Sequence, residues 1–113
     1  SVARSVLPEN VKMADAVSNI SHSVALIKAL ELGNMELLKQ ANIDKLHQDY
    51  RFPLINDSAY FIDYAKNNPA TCMISGAGPT ILLISKESLN ISYKDWKIIE
   101  QKVNNKGAYI YER

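Results

Sequence analysis

Two arginines, a histidine and one glycine pair are the residues of this chain best equipped to act on a small anion. Arg51 follows Asp49-Tyr50 and precedes Phe52-Pro53. An arginine held by a rigid X-Pro segment suits bidentate binding of a carboxylate or phosphate. The plainer reading is a surface arginine paired with Asp49. Arg4 lies between apolar residues ahead of Pro8 and discriminates nothing alone. Ser75-Gly76-Ala77-Gly78-Pro79-Thr80 is the strongest local signal. Two glycines let backbone approach a ligand, and consecutive N–H groups in such a turn can form an anion nest. No Lys follows and a strand comes next, so it is not a Walker A loop. The plainer reading is a hairpin turn that needs positive φ. His47 is of the residue type suited to acid–base work, but nothing nearby completes a triad. Asp44 and Asp49 bracket it, a set too common to name a metal site. His22 lies beside an apolar helix stripe, and Cys72 reads as an inert core thiol. No catalytic base and no metal site emerges.

The 113 residues make one domain, and 47% hydrophobic content is enough for a packed core. Thirteen basic residues against twelve acidic leave a net +1. That balance provides no basic footprint for nucleic acid. A single cysteine excludes an internal disulfide and points to a reduced, cytoplasmic setting. No apolar run reaches the roughly 18 residues of a membrane helix.

These residues must be positioned by the elements around them. Residues 1–8 read as an extended segment, with Pro8 placed to open a helix. From Val11 to Leu32, Met13, Val17, Ile20, Val24, Ile27 and Leu30 recur at helical spacing. Ala14, Ala25 and Ala29 widen that stripe for packing on a sheet. Gly33 stops the helix, and Asn34 caps the next, Met35 to Ala41, which turns Leu37 and Leu38 inward. Ile43 and Leu46 suggest a further helical turn ended by Arg51-Phe52-Pro53. Asp57 caps a helix to Asn67 with Ala59, Ile62 and Ala65 inward. Thr71 to Ile74 and Thr80 to Ile84 pair as a hairpin. Ser92 and Asp95 form a capping box for a helix carrying Trp96, Ile99 and Val103. Gly107 ends it, and residues 108–111 make a last strand. The class is α+β, helices on one face of an antiparallel sheet.

Three segments, read together, resemble one family. ISGAGPT, Ile74 to Thr80, resembles the third motif of the GHMP kinases. ARSVLP, Ala3 to Pro8, with DAVSN, Asp15 to Asn19, resembles the A-R-x-x-L-P…D-A-V-x-N stretch of homoserine kinases. DKLHQDYR, Asp44 to Arg51, is similar to that family's D-x-L-H-Q-x-Y-R segment, which mevalonate, galactose and diphosphocytidyl-methylerythritol kinases do not share. The resemblance runs from about residue 3 to 84. It implies the ferredoxin-like C-terminal domain over residues 1–113, with its first strand truncated. It implies an enzyme that transfers the γ-phosphate of ATP to the hydroxyl of L-homoserine, with Mg²⁺, in threonine biosynthesis. The family's two carboxylate-binding arginines fall on Arg4 and Arg51. Its third-motif loop falls on Ser75, Gly76, Ala77 and Gly78, near substrate and phosphate, with His47 behind.

The family's nucleotide loop, P-x-x-x-G-L-G-S-S, is absent from these residues. The chain therefore reads as a fragment lacking the N-terminal ATP-binding domain, inactive alone and binding no cofactor. Its uncovered apolar surface is expected to drive self-association into a homo-oligomer. The competing function is a free-standing α+β module that binds an amino acid and regulates another protein. An RNA-binding ferredoxin-like domain would stack bases on Tyr109 and Tyr111, but Thr71 to Ile84 offers no basic or aromatic face.

Overall fold

The computed structural model describes residues 2–108 and 110–111. Its helices are α1 (Val2–Ser5), α2 (Met13–Leu32), α3 (Met35–Ala41), α4 (Gln48–Arg51) and α5 (Ser58–Asn67). Its strands are β1 (Ala70–Ile74) and β2 (Ile81–Ser85), and a 3-10 turn (Phe52–Leu54) follows α4 directly. The strands form an antiparallel hairpin, Ala70 opposite Ser85 and Ile74 opposite Ile81. α3 and α5 pack on β1, and α2 packs on α3, so the fold is α+β with its helices gathered around a two-stranded sheet.

The helix stops follow the sequence chemistry. Gly33 takes the left-handed conformation at φ 57°, and its neighbour Asn34 returns an N–H to the Ala29 carbonyl. Asn34 then caps α3, its side-chain oxygen accepting from the Leu37 amide at 3.0 Å. The core that results joins Ala29, Leu38, Ala41, Ile55, Phe61, Ala65, Ala70 and Ile74. Asn42 ties the end of α3 to the sheet, donating to Thr71 Oγ1 and to the Cys72 carbonyl.

The apolar stripe of α2 corrects the expectation that it faces the sheet. Met13, Val17, Ile20, Val24, Ile27 and Leu30 are 47% to 79% exposed, and α2 meets α3 through its other face, where Ala29 is buried. Close approach of two helices favours the small residue, which explains why alanine rather than isoleucine marks the covered side. Covering an aliphatic side chain fully is worth roughly 1.5–3 kcal/mol. Six left largely exposed therefore forgo stabilisation comparable with the net stability of a whole domain.

Other expectations also shift. Residues 1–8 are not extended: Val2–Ser5 is a helical turn, closed by the Ser5 hydroxyl on the Val2 carbonyl at 2.9 Å, and no strand precedes it among the described residues. Pro8 opens no helix, since α2 starts at Met13. On α5 the buried residues are Ser58, Phe61 and Ala65, while Ala59 is exposed. Asp57 does not cap α5 through its side chain. It sits at φ 60° and its carboxylate instead accepts from Lys94 at 2.7 Å.

That ion pair belongs to the largest departure. The Ser92–Asp95 segment opens no helix, and residues 89–108 form turns and irregular chain. Lys94 adopts φ 42°, which breaks helical continuation at its start. Tyr93 stacks on Tyr60 with centroids 3.8 Å apart, and Trp96 lies against Phe61 at 4.6 Å. Aromatic packing onto α5 thus replaces the helix. Residues 108, 110 and 111 carry no strand, and Tyr109 lies outside the described residues.

Cys72 is half-buried, and burial pushes its thiol up to about 11. At pH 8 only about one thiol in a thousand is then ionised, and the thiolate is the nucleophile. Alkylation by iodoacetamide is expected to be far slower than for a free cysteine at pH 8 and to keep rising about tenfold per pH unit toward pH 11. A rate matching a free thiol at pH 8 would contradict this.

Candidate functional site

Arg51 is the last residue of α4, and its guanidinium reaches three segments of the chain. Nε donates to the Ala3 carbonyl at 2.9 Å. Nη1 lies 3.4 Å from the Gly76 carbonyl, to which it donates, and 3.4 Å from His47 Nδ1. No carboxylate forms an ion pair with it among the described residues, so the expected pairing with Asp49 is absent. The second amino group, Nη2, is left with no protein hydrogen bond among those residues. A half-exposed guanidinium without its counter-charge suits an external carboxylate.

The 75–78 loop lies beside it. The Ser75 amide donates to the Thr80 carbonyl and the Gly78 amide to the Ser75 carbonyl, closing the turn. Gly76 and Gly78 stand at φ 63° and 80°, and the Gly78–Pro79 bond is cis. The amides of Gly76 and Ala77 at the exposed tip make no backbone hydrogen bond among the described residues. They face the solvent with the polarity of an anion nest.

Arg4 lies in α1, one residue after the Ala3 carbonyl that Arg51 holds. The Arg51 side chain thus joins the two arginine-bearing segments through the α1 backbone, while the Arg4 side chain is exposed and forms no ion pair with a carboxylate among the described residues. His47 is the residue before α4. Its Nε2 is 4.0 Å from Asp44 Oδ2 and its Nδ1 faces Arg51. His22 stands apart from this group on α2, with Nδ1 2.7 Å from the Ser18 carbonyl.

Sequence reasoning placed a helical turn at Ile43–Leu46. Instead the Asp44 carboxylate gathers the amides of Leu46, His47 and Gln48 at 3.3, 2.7 and 2.5 Å, and α4 begins only at Gln48. Asn19 Nδ2 donates to Asp44 Oδ1 at 2.7 Å, the oxygen that also accepts from Leu46, and Asn19 Oδ1 accepts from the Lys45 amide at 2.6 Å. Gln48 Oε1 accepts from the Ile74 amide at 2.9 Å. Asn19, Asp44 and Gln48 were all inside the quoted motifs. Hydrogen-bonding side chains spaced around a turn were the available signal, and nothing in the sequence shows which segment each would reach.

Burial pushes the Asp44 carboxyl up, but the hydrogen bonds from Gln48, Asn19 and His47, and the charge of His47, outweigh it and hold the carboxyl below its ordinary value. A depressed folded-state pKa contributes stability that is present above the unfolded value and lost as pH falls through the folded one. The stability difference between the protein and Asp44→Asn is therefore expected to be full at pH 6 and to shrink below about pH 4. Denaturation midpoints at pH 6 and pH 3 check this; an equal difference at both would contradict it.

A cavity of about 1340 Å³ lies elsewhere, between β2 and residues 85–103, with Phe61 and Trp96 in its wall. Neither Arg51 nor the 75–78 loop lines it. The described residues contain no group of three His, Cys, Asp or Glu side chains that could hold a metal. The glycine pair lies between strands rather than at a helix start. No described helix is long and apolar enough to cross a membrane.

No family model matches the chain. A homoserine kinase of Prochlorococcus marinus (strain MIT 9215) is 47% identical over 88 residues, covering 77% of this chain and 28% of that protein. The chain is a relative of the homoserine kinases. A homoserine kinase of Clostridium botulinum (strain Kyoto / Type A2) is 36% identical over 124 aligned residues, 98% of this chain and 41% of that protein. The crystal structure of homoserine kinase from Cytophaga hutchinsonii matches with a TM-score of 0.67 at 27% identity, over 75% of this chain and 28% of that one. The chain thus spans less than half the length of these homoserine kinases, over their C-terminal part, and shares their fold there.

Proposed function

We propose that the chain is the C-terminal, substrate-side domain of a homoserine kinase, residues 1–113, in an enzyme that transfers the γ-phosphate of ATP to the hydroxyl of L-homoserine. The observation that carries this reading is the Arg51 guanidinium, anchored on Ala3, beside the Gly76 carbonyl and without a protein carboxylate. Arg51 binds the homoserine carboxylate, with Arg4 closing on it from α1. Ser75, Gly76, Ala77 and Gly78 bound the substrate next to the phosphate, and the free amides at the loop tip oppose negative charge. His47 backs Arg51. Phosphoryl transfer is mostly positioning and charge stabilisation, and this chain supplies the positioning of the acceptor. An N-terminal ATP-binding domain brings ATP and Mg²⁺. The exposed stripe of α2 supports further protein covering this domain. A cytoplasmic setting and threonine biosynthesis belong to the same reading.

The test has two arms. The two-domain protein is expected to release ADP from ATP only with L-homoserine present. The 113-residue chain alone is expected to give no turnover and no saturable heat when titrated with Mg-ATP. Micromolar Mg-ATP binding to the chain alone would show the nucleotide site to be misplaced. Homoserine binding by the two-domain protein without phosphorylation would favour an amino-acid-binding regulatory module.

A further inference from the structure

We propose that Gln48, with Asp44 and Asn19 behind it, is a positioning residue that sets Arg51 and the 75–78 loop at their working separation. This rests on the reading of Arg51 as the carboxylate-binding residue. α4 is four residues long, a single turn that cannot hold itself together. Its position is imposed from outside at both ends.

At its start the Asp44 carboxylate, 11% exposed, collects three backbone amides, and Asn19 of α2 fixes the carboxylate while also holding the Lys45 amide. This fastens the turn to α2, the longest of the described helices. Gln48, the first residue of α4, accepts from the amide of Ile74, the last residue of β1 before the loop. Three residues later Arg51 donates to the Gly76 carbonyl inside that loop. Gln48 and Arg51 lie one helical turn apart on the same face and engage the strand end and the loop two residues beyond it. The Gln48 bond therefore sets where the loop begins relative to Arg51. Bidentate carboxylate binding tolerates little error, and a displacement near 1 Å can cost about a hundredfold.

Gln48→Met removes the acceptor and keeps the length of the side chain; Gln48→Glu keeps an acceptor oxygen. Gln48→Met is expected to raise the KM for L-homoserine about tenfold, with the KM for ATP and kcat within about twofold, and Gln48→Glu to restore most of the loss. In an Arg51→Lys background Gln48→Met is expected to add little, because its effect runs through Arg51. Asn19→Ala, which leaves the Asp44 cap in place, is the second variant and is expected to shift the same KM in the same direction. The readout independent of activity is the Arg51 Nε–H proton resonance of the 113-residue chain. Its protection by the Ala3 carbonyl is expected to fall in Gln48→Met and return in Gln48→Glu. If the wild-type enzyme leaves homoserine unphosphorylated, the functional reading fails and this resonance still decides the positioning claim. An unmoved resonance, additive effects with Arg51→Lys, or parallel loss in both KM values and kcat would overturn it.

Discussion

Arg51→Lys in the two-domain protein is expected to raise the KM for L-homoserine by about 10- to 100-fold while leaving the KM for ATP nearly unchanged. The guanidinium divides its donors by geometry. Nε is committed to the Ala3 carbonyl, Nη1 leans on Gly76, and Nη2 is left for a ligand. A lysine ammonium is a point charge on a flexible stem and cannot anchor on Ala3 while presenting a planar edge. Losing one charge-assisted hydrogen bond costs roughly 1.5–3 kcal/mol, which converts to that range of affinity. Steady-state kinetics with each substrate varied in turn checks it. An unaltered homoserine KM would remove Arg51 from the site.

Gly78→Val is expected to cause the largest loss of stability among the loop variants. Its φ of 80° disfavours any Cβ, and a Cβ there would stand 3.1 Å from Ile55 Cδ1 and 3.4 Å from Ile74 Cγ2. The backbone part costs roughly 1–3 kcal/mol. Overpacking against two core isoleucines adds a penalty of about the same size. Gly76 is the internal control. It also has positive φ, at 63°, but nothing lies within 4 Å of its Cβ position, so Gly76→Ala carries the backbone part alone. Urea denaturation of the two variants separates the terms. Equal midpoints would contradict the packing half of the argument.

Elements specified by short-range chemistry were legible in the sequence. The Gly33 stop, the Asn34 cap, the bounds of α3 and α5 and the hairpin on either side of SGAGP depend on neighbouring residues alone. The α2 stripe shows what periodicity leaves open. Two faces alternate along that helix, and only tertiary packing decides that α3 covers the alanine side. Ser92 and Asp95 have capping-box spacing, yet the stacking of Tyr93 on Tyr60 and the Lys94–Asp57 pair join residues more than 30 positions apart, beyond the reach of local pattern. The site divides the same way. Arg51 and the glycine loop were visible as residue types. Their junction through Ala3, and the Asn19–Asp44–Gln48 framework beneath them, needed four separate segments to meet.

The central claim is that Arg51 receives the substrate carboxylate beside the 75–78 loop. A crystal structure of the two-domain protein with L-homoserine tests it most directly. The account predicts the carboxylate within about 3 Å of the Arg51 guanidinium, with Arg4 turned toward it and the hydroxyl directed away toward the nucleotide. A homoserine carboxylate bound elsewhere, with the Arg51 guanidinium still resting only on Ala3, Gly76 and His47, would contradict it.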